Sequence, residues 1–259
     1  MDDNDISLEY FEYPDAMFGG ACVYVIEDEE TGTLLRVLEV GGGIQSAAYV
    51  DERRFEPVFE YYRALDVMFD YEQDCHQEKY GEQAQSFNIN NVLMLGGGGC
   101  SYPNYALSTH PHLHMDVVEI DPVIIDIARK HFYVDELLER FEAQNRLRLI
   151  ADDGRAFVEA CGTASKPVTY DVIVNDAFSG KQAVDPLVSP DGLQAVHAIL
   201  RPCGLYIVNV SSTEDGSNTQ AVEDVACALR ETFATVTVIP CIDESFAGED
   251  NYLVIGINA

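Results

Sequence analysis

The stretch NVLMLGGGG, Asn91 to Gly99, decides how this chain is read. After Asn91 the residues Val92 to Leu95 are apolar without alternation, the pattern of a strand buried on both faces of a parallel sheet. Gly96, Gly97, Gly98 and Gly99 then let the backbone turn sharply and approach a ligand that any Cβ would hold away. The next apolar run, Met115 to Ile120, reads as a second strand with Glu119 near its end, where a carboxylate accepts hydrogen bonds from both hydroxyls of a ribose. The loop does not continue as GxGxxG into a helix. Cys100, Ser101, Tyr102 and Pro103 follow instead, so a bulky ring stands where a third glycine would pack, and a dinucleotide pyrophosphate is disfavoured. A nucleoside without phosphate fits the cradle better.

Working outward, strand and helix signals alternate from Asn91 to the end, which implies a mostly parallel sheet with helices on both faces. Asp121 is an N-cap with Pro122 as the first helical residue, ahead of Ile125, Ala128 and Phe132. Arg146 to Ile150 reads as a third strand, and Asp153-Gly154 opens a helix. Tyr170 to Asn175 is a fourth strand closed by Asp176. Ser189-Pro190-Asp191 opens the next helix, before a strand over Leu205 to Val210 and a helix over about 218 to 233. The runs Ala234 to Ile239 and Tyr252 to Ile257 complete seven strands; the connection between these two is too short for a crossover helix, so the last strand runs antiparallel.

Ahead of the glycine loop the pattern differs. SLEYFEY, ACVYVIED, TLLRVLEV and GIQSAAYV, separated by glycine-rich turns, read as antiparallel hairpins. We expect a small β-domain over residues 1–54 and a Rossmann-like nucleoside-binding domain over 55–259. Phe55, Val58, Phe59, Tyr62, Leu65 and Phe69 share one helical face, with Pro57 in the first turn. Residues 71–90 are polar and aperiodic, and read as an exposed connection.

Composition narrows the partners. The chain has 259 residues and 45 acidic against 15 basic side chains, a formal net charge of -30. A field of that sign repels phosphate backbones, which makes nucleic acid a poor partner and a small cation a good one, although a solvated surface tuned for solubility, as in a salt-rich cytoplasm, is the stronger reading of the charge. The 7 cysteines form no CxxC pair, and their odd number argues against a closed disulfide framework. Reduced thiols in a cytoplasmic protein are expected. No apolar run approaches the roughly 20 residues of a membrane span, and an acidic start is unlike a signal peptide. His110, His112 and His114 alternate around Pro111, but the segment enters the second strand at its amino end, away from the predicted pocket, so no metal site is expected. Cys100 lies beside the loop with no histidine placed to activate it, and reads as a small loop residue.

Ligands of open α/β sheets sit at the carboxyl ends of the strands. Four such ends carry suitable groups: Gly96 to Gly99, Glu119, Asp152 with Asp153, and Asp176. An acid closing an apolar strand loses solvation unless it holds a cation or a donor, which singles out Asp176.

With these residues in hand the chain resembles the spermidine synthase family, aminopropyltransferases on an AdoMet-methyltransferase-like fold with an N-terminal β-domain. GGGIQSAAYVDERRFE is similar to the family's passage from β-domain to first helix, VLMLGGGGC to its glycine motif and VVEIDPVIIDIARK to its ribose-acid motif. DDGRAF is similar to the adenine motif and YDVIVNDAF to the catalytic strand. The resemblance implies a ligand-side role for Gln45, ribose binding by Glu119, an adenine contact from Asp153 within Asp152-Asp153-Gly154, and catalysis by Asp176. It also implies a homodimer.

The departures lie on the amine side. Gly99 stands where the family usually has Asp, Ser179 where it has an acid, and Phe55-Glu56 where it has Tyr followed by Gln or His. We therefore expect a transferase that binds AdoMet or decarboxylated AdoMet and passes an aminopropyl or methyl group to a small amine, with the polyamine grip thinned and no metal. A small-molecule methyltransferase and a non-catalytic nucleoside-binding homologue are the alternatives; donor choice separates the first, and binding without turnover the second.

Overall fold

The computed structural model describes residues 9–258 apart from 29–30, 78, 142, 166–167, 180–181, 184, 212–218 and 243–249, and a few further side chains. Two sheets dominate. The first is four-stranded and antiparallel, in the order β1 (Tyr10–Tyr13), β2 (Ala21–Glu27), β3 (Leu34–Val40) and β4 (Gly43–Tyr49). The second has seven strands: β5 (Asn91–Leu95), β6 (His114–Glu119), β7 (Leu147–Ala151), β8 (Tyr170–Asn175), β11 (Leu200–Ser211), β12 (Thr235–Cys241) and β13 (Asn251–Ile257). Two short strands, β9 (Phe178–Ser179) and β10 (Gln182–Ala183), pair separately after β8.

The large sheet runs β12-β13-β11-β8-β5-β6-β7. The four pairs from β11 to β7 are parallel, whereas β13 is antiparallel to both neighbours, as the short connection before it requires. Strand order reverses beside β5, and its loop opens at that crevice. Residues Val92 to Leu95 are fully buried because successive side chains enter two different cores. Val92 and Met94 pack on one face, with Met68, Tyr102 and Leu107. Leu93 and Leu95 pack on the other, with Val158, Leu193, Val196 and Leu229.

Helices cover both faces. They are α1 (Glu60–Ala64), α2 (Val67–His76), α3 (Ser101–Thr109), α4 (Pro122–His131), α5 (Val134–Arg140), α6 (Gly154–Thr163), α7 (Asp185–Val188), α8 (Pro190–Ile199) and α9 (Gln220–Arg230). The expected caps form: Asp121 accepts from the Val123 amide, Asp153 from Ala156 and Ser189 from Gly192.

Two expectations are corrected. The helix expected from Phe55 begins only at Glu60, and a break at Leu65-Asp66 splits it into α1 and α2. Residues 71–90 are no exposed connection: α2 continues to His76, a turn of 3-10 helix spans Glu82–Ser86, and Tyr71, Cys75, Ala84, Phe87 and Ile89 are buried. Widely spaced apolar anchors in a polar segment give no period, yet each fills a hole under the sheet.

The four-stranded sheet is tied to the large one by polar contacts. The Met17 amide donates to Asp121 Oδ2 at 2.6 Å, and Arg36 donates to the His131 carbonyl and the Tyr133 hydroxyl. Arg54 meets Glu136 through two nitrogens. Ser46 and Ser101 share a buried hydroxyl contact of 2.8 Å, and Ser101 donates to the Ala47 carbonyl.

Candidate active site at the strand ends

The register puts the expected ligand groups at one level. Leu95 pairs with both Val118 and Asn175, and Glu119 pairs with Ala151, so the ends of β5, β6, β7 and β8 are flush. Gly96 extends this ladder by donating to the Val118 carbonyl, while the Asp176 amide donates to the Leu95 carbonyl.

Each glycine of the loop has its own reason. Gly96 has φ +93°, and a Cβ there would collide with the Asp176 carbonyl and stand 2.9 Å from the Ala177 nitrogen. A Cβ on Gly97 would meet Val117 Cγ1 at 3.0 Å. Gly98, at φ +46°, lies against the Gln45 carbonyl. Gly99 is buried, and a Cβ there would stand 2.8 Å from Ser46 Oγ and 2.9 Å from Phe132 Cδ1. Position 99 thus faces packing between the two sheets, and an acid could not be added there without displacing Ser46 and Phe132.

Glu119 holds the loop: Oε2 accepts from the Gly97 amide at 3.0 Å and the Gly98 amide at 3.1 Å, and Oε1 from the Asp121 amide at 3.1 Å. Gln45 is the extra residue of a β-bulge, since Leu38 pairs with Ser46 but Glu39 with Ile44, and its carbonyl abuts the loop at Gly98. Asp152 and Asp153 are exposed at the end of β7, with Asp152 Oδ1 accepting from the Asp153 amide. Gly154 begins α6 with ordinary clearance to Leu95 and Leu187.

Asp176 sits across the loop from Glu119. Its Oδ1 accepts from Asn209 Nδ2 at 2.7 Å and its Oδ2 from the Tyr61 hydroxyl at 3.4 Å. Burial pushes the carboxyl up to about 7, against the lowering effect of Asn209, Tyr62 and Tyr61. Tyr61 and Tyr62 come from α1, with ring centroids 4.1 Å apart, and burial raises both phenols well above their ordinary range. Asn209 comes from β11, one residue past the Val208 to Asn175 pairing, and is 2% exposed.

Of the other expected amine-side residues, Phe55 and Glu56 are not gathered at Asp176. Phe55 packs its ring on Phe141 and Tyr133, and Glu56 is exposed. Ser179 pairs with Gln182, and its side chain lies outside the described residues. Conversely, sequence reading missed Tyr61 and Asn209 as neighbours of Asp176. Tyr61 falls off the apolar stripe that passes through Tyr62, and the one available signal for Asn209 was a polar residue within the apolar run Leu205 to Val210.

Two side candidates resolve as structural. Cys100 has φ +58° and is 3% exposed, and burial pushes its thiol up to about 12, so it carries no nucleophilic thiolate near neutrality. All seven cysteines are free. His110 stacks on Phe69 with centroids 3.9 Å apart. Among the described residues no helix is long and apolar enough to cross a membrane.

Residues 77–246 match the family model for the spermine/spermidine synthase domain. A polyamine aminopropyltransferase of Vibrio vulnificus is 33% identical over 122 residues, 47% of this chain and 38% of that protein. An eEF1A lysine and N-terminal methyltransferase homolog of Drosophila pseudoobscura pseudoobscura is 28% identical over 141 residues, 52% of this chain and 19% of that protein. The matched regions therefore span well under half the length of these relatives. Among solved structures, a probable spermidine synthase from Corynebacterium glutamicum superposes with a TM-score of 0.68 at 21% identity, covering 95% of this chain and 79% of that one. That likeness is one of fold.

Proposed function

This chain belongs to the spermine/spermidine synthase domain family, and from that premise we propose that it transfers an aminopropyl or methyl group from an adenosyl sulfonium donor to a small amine. The donor is AdoMet or its decarboxylated form. The reading rests above all on one observation: Asp176 ends a strand beside the glycine loop with its carboxyl near neutrality, where it can take a proton from an amine at working pH. Its ordinary counterpart on the surface, with a pKa of about 3.9, would be a poor acceptor of that proton.

In this reading the loop from Gly96 to Gly98 lies under the nucleoside, Glu119 exchanges part of its bonding to loop amides for the ribose hydroxyls, and Gln45 closes the pocket from the β-domain of residues 1–54. Asp152, Asp153 and Gly154 border the adenine. The amine's lone pair attacks the carbon beside the sulfonium; the carbon–sulfur bond breaks with its electron pair passing to sulfur, and the nitrogen's surplus proton goes to Asp176. Alignment supplies most of the rate, because the sulfonium is already an activated leaving group.

The amine grip is short of acids. Among the described residues Asp176 is the acid of the β8–β11 side, position 99 is closed off by Ser46 and Phe132, and Glu56 is exposed. Among the described residues a second buried ammonium would lack a compensating carboxylate. Putrescine, with two ammonium groups, should therefore turn over slowly, below the order of 1 per second typical of enzymes.

A thermal-shift series with AdoMet, decarboxylated AdoMet and methylthioadenosine tests the donor, since a ligand at about 100 times its Kd adds about 2.7 kcal/mol. A shift with at least one is expected. Absence of any shift at millimolar concentrations would end the nucleoside reading, and rapid putrescine turnover would end the thinned-grip reading.

A further inference from the structure

Asn209 is buried on β11, and its Oδ1 is one of three buried side-chain atoms among the described residues with no hydrogen-bond partner. Buried acceptors are seldom left so, and each such case calls for an explanation. The neighbouring Asn175 shows the ordinary arrangement: Nδ2 donates to the Tyr206 hydroxyl and Oδ1 accepts from the Ala177 amide, so its amide is engaged at both ends. Asn209 is engaged at one end alone, by Nδ2 donating to Asp176 Oδ1 at 2.7 Å. No second partner opposes rotation of this amide by half a turn about its last torsion.

That rotation would bring Oδ1 to where Nδ2 now stands. The amide nitrogen matches a carboxylate; the amide oxygen matches a carboxylic acid, whose O–H then donates to it. Resting on the reading of Asp176 as the base, we propose that Asn209 is a positioning residue whose amide turns with the proton on Asp176, keeping that carboxyl hydrogen-bonded and aimed both before and after it takes the amine's proton. The unpaired atom is then the idle end of a two-way partner. Among the described residues the other titratable groups facing the carboxyl are Tyr61 and Tyr62 on α1. Burial keeps both phenols protonated, so neither takes the amine's proton in place of Asp176.

Neutron diffraction on deuterium-exchanged crystals reads the amide directly, because nitrogen with its deuterons and oxygen scatter differently. With Asp176 titrating around 7, crystals at about pH 8.5 and about pH 5.5 sample both states. The expected result is nitrogen toward Asp176 at the higher pH, and oxygen toward a deuterated carboxyl at the lower. The same orientation at both would overturn the proposal. In solution, carbon-13 NMR of the Asp176 carboxyl, assigned by its loss in Asp176→Asn, should give a midpoint roughly 1 unit higher in Asn209→Leu. The carboxylate loses a charge-assisted bond, whereas the acid loses a weaker neutral one. An unmoved midpoint in a folded Asn209→Leu would overturn the proposal as well. Failure of the base reading is separate: it shows as an acid limb of the pH–rate profile that survives in Asp176→Asn, whatever the amide does.

Discussion

The two sides of the candidate site are built on opposite principles. On the β5–β6 side the groups are mostly backbone: glycine amides turned toward Glu119, whose two oxygens accept three N–H bonds. On the β8–β11 side they are side chains: a part-buried acid, two phenols and an amide with an idle oxygen. The first side is satisfied and held by sterics, so it suits recognition of a fixed shape. The second carries an uncomfortable carboxylate, so it suits a group that must change protonation state. Binding and chemistry should therefore separate under mutation.

The largest effect should come from the one residue where the two sides touch. Gly96→Val would drive a Cβ into the Asp176 carbonyl at a positive φ, and should cost about 3 kcal/mol or more of stability while removing nucleoside binding. Denaturant titration and calorimetry with methylthioadenosine measure both. If binding survives, the two regions are not joined as described.

Asp176→Asn should lower turnover by roughly 100- to 10,000-fold, the range for losing a general base, and leave methylthioadenosine affinity within about threefold. The acid also predicts a pH signature. Its folded pKa, about 7, lies above its ordinary 3.8, so the folded state holds the proton longer than the unfolded one. Its contribution to stability therefore falls as pH climbs from 3.8 to about 7, and is constant above. Asp176→Asn should flatten that slope, and gain stability relative to the parent at pH 8 compared with pH 4. Parallel pH–stability curves for the two proteins would show that the carboxyl is not strained by burial.

Gly99→Asp puts an acid into the loop, and sharpens the comparison because it should damage the fold without repairing the amine grip. A Cβ at 99 meets Ser46 and Phe132, so a loss of about 2–3 kcal/mol is expected, partly recovered by Ser46→Gly. Higher putrescine turnover in Gly99→Asp with unchanged stability would contradict the packing. The smallest effect is assigned to Glu119→Gln, which keeps the shape but trades a charged acceptor for a neutral one. A loss of about 1–2 kcal/mol in methylthioadenosine affinity is expected by calorimetry, with the pH–rate profile unmoved. A shifted profile would mean that the two sides are electrostatically coupled.

Much of this was legible in the residues. An apolar run without alternation followed by four glycines can serve few purposes, and acids at the ends of successive strands follow from the register of parallel pairing. The seven strands, the antiparallel last strand and the caps at Asp121, Asp153 and Ser189 are local or nearest-neighbour properties, carried by period, turn chemistry and connection length. Residues 71–90 were illegible because their burial depends on holes under the sheet that no local pattern records.

By itself, then, the sequence determined the strand-and-loop frame, the family and the level at which Gly96–Gly99, Glu119 and Asp176 stand, since each depends on contacts a few residues away or on one register. Only the tertiary structure decided what surrounds Asp176 and why position 99 is closed. Tyr61 lies 115 residues from that acid in the chain and Asn209 lies 33; Ser46 meets Ser101 across 55. Such neighbours are chosen by how helices and sheets pack. Burial then raises the Asp176 carboxyl, because desolvation depends on the whole shell of atoms around a charge and not on the residues beside it in the chain.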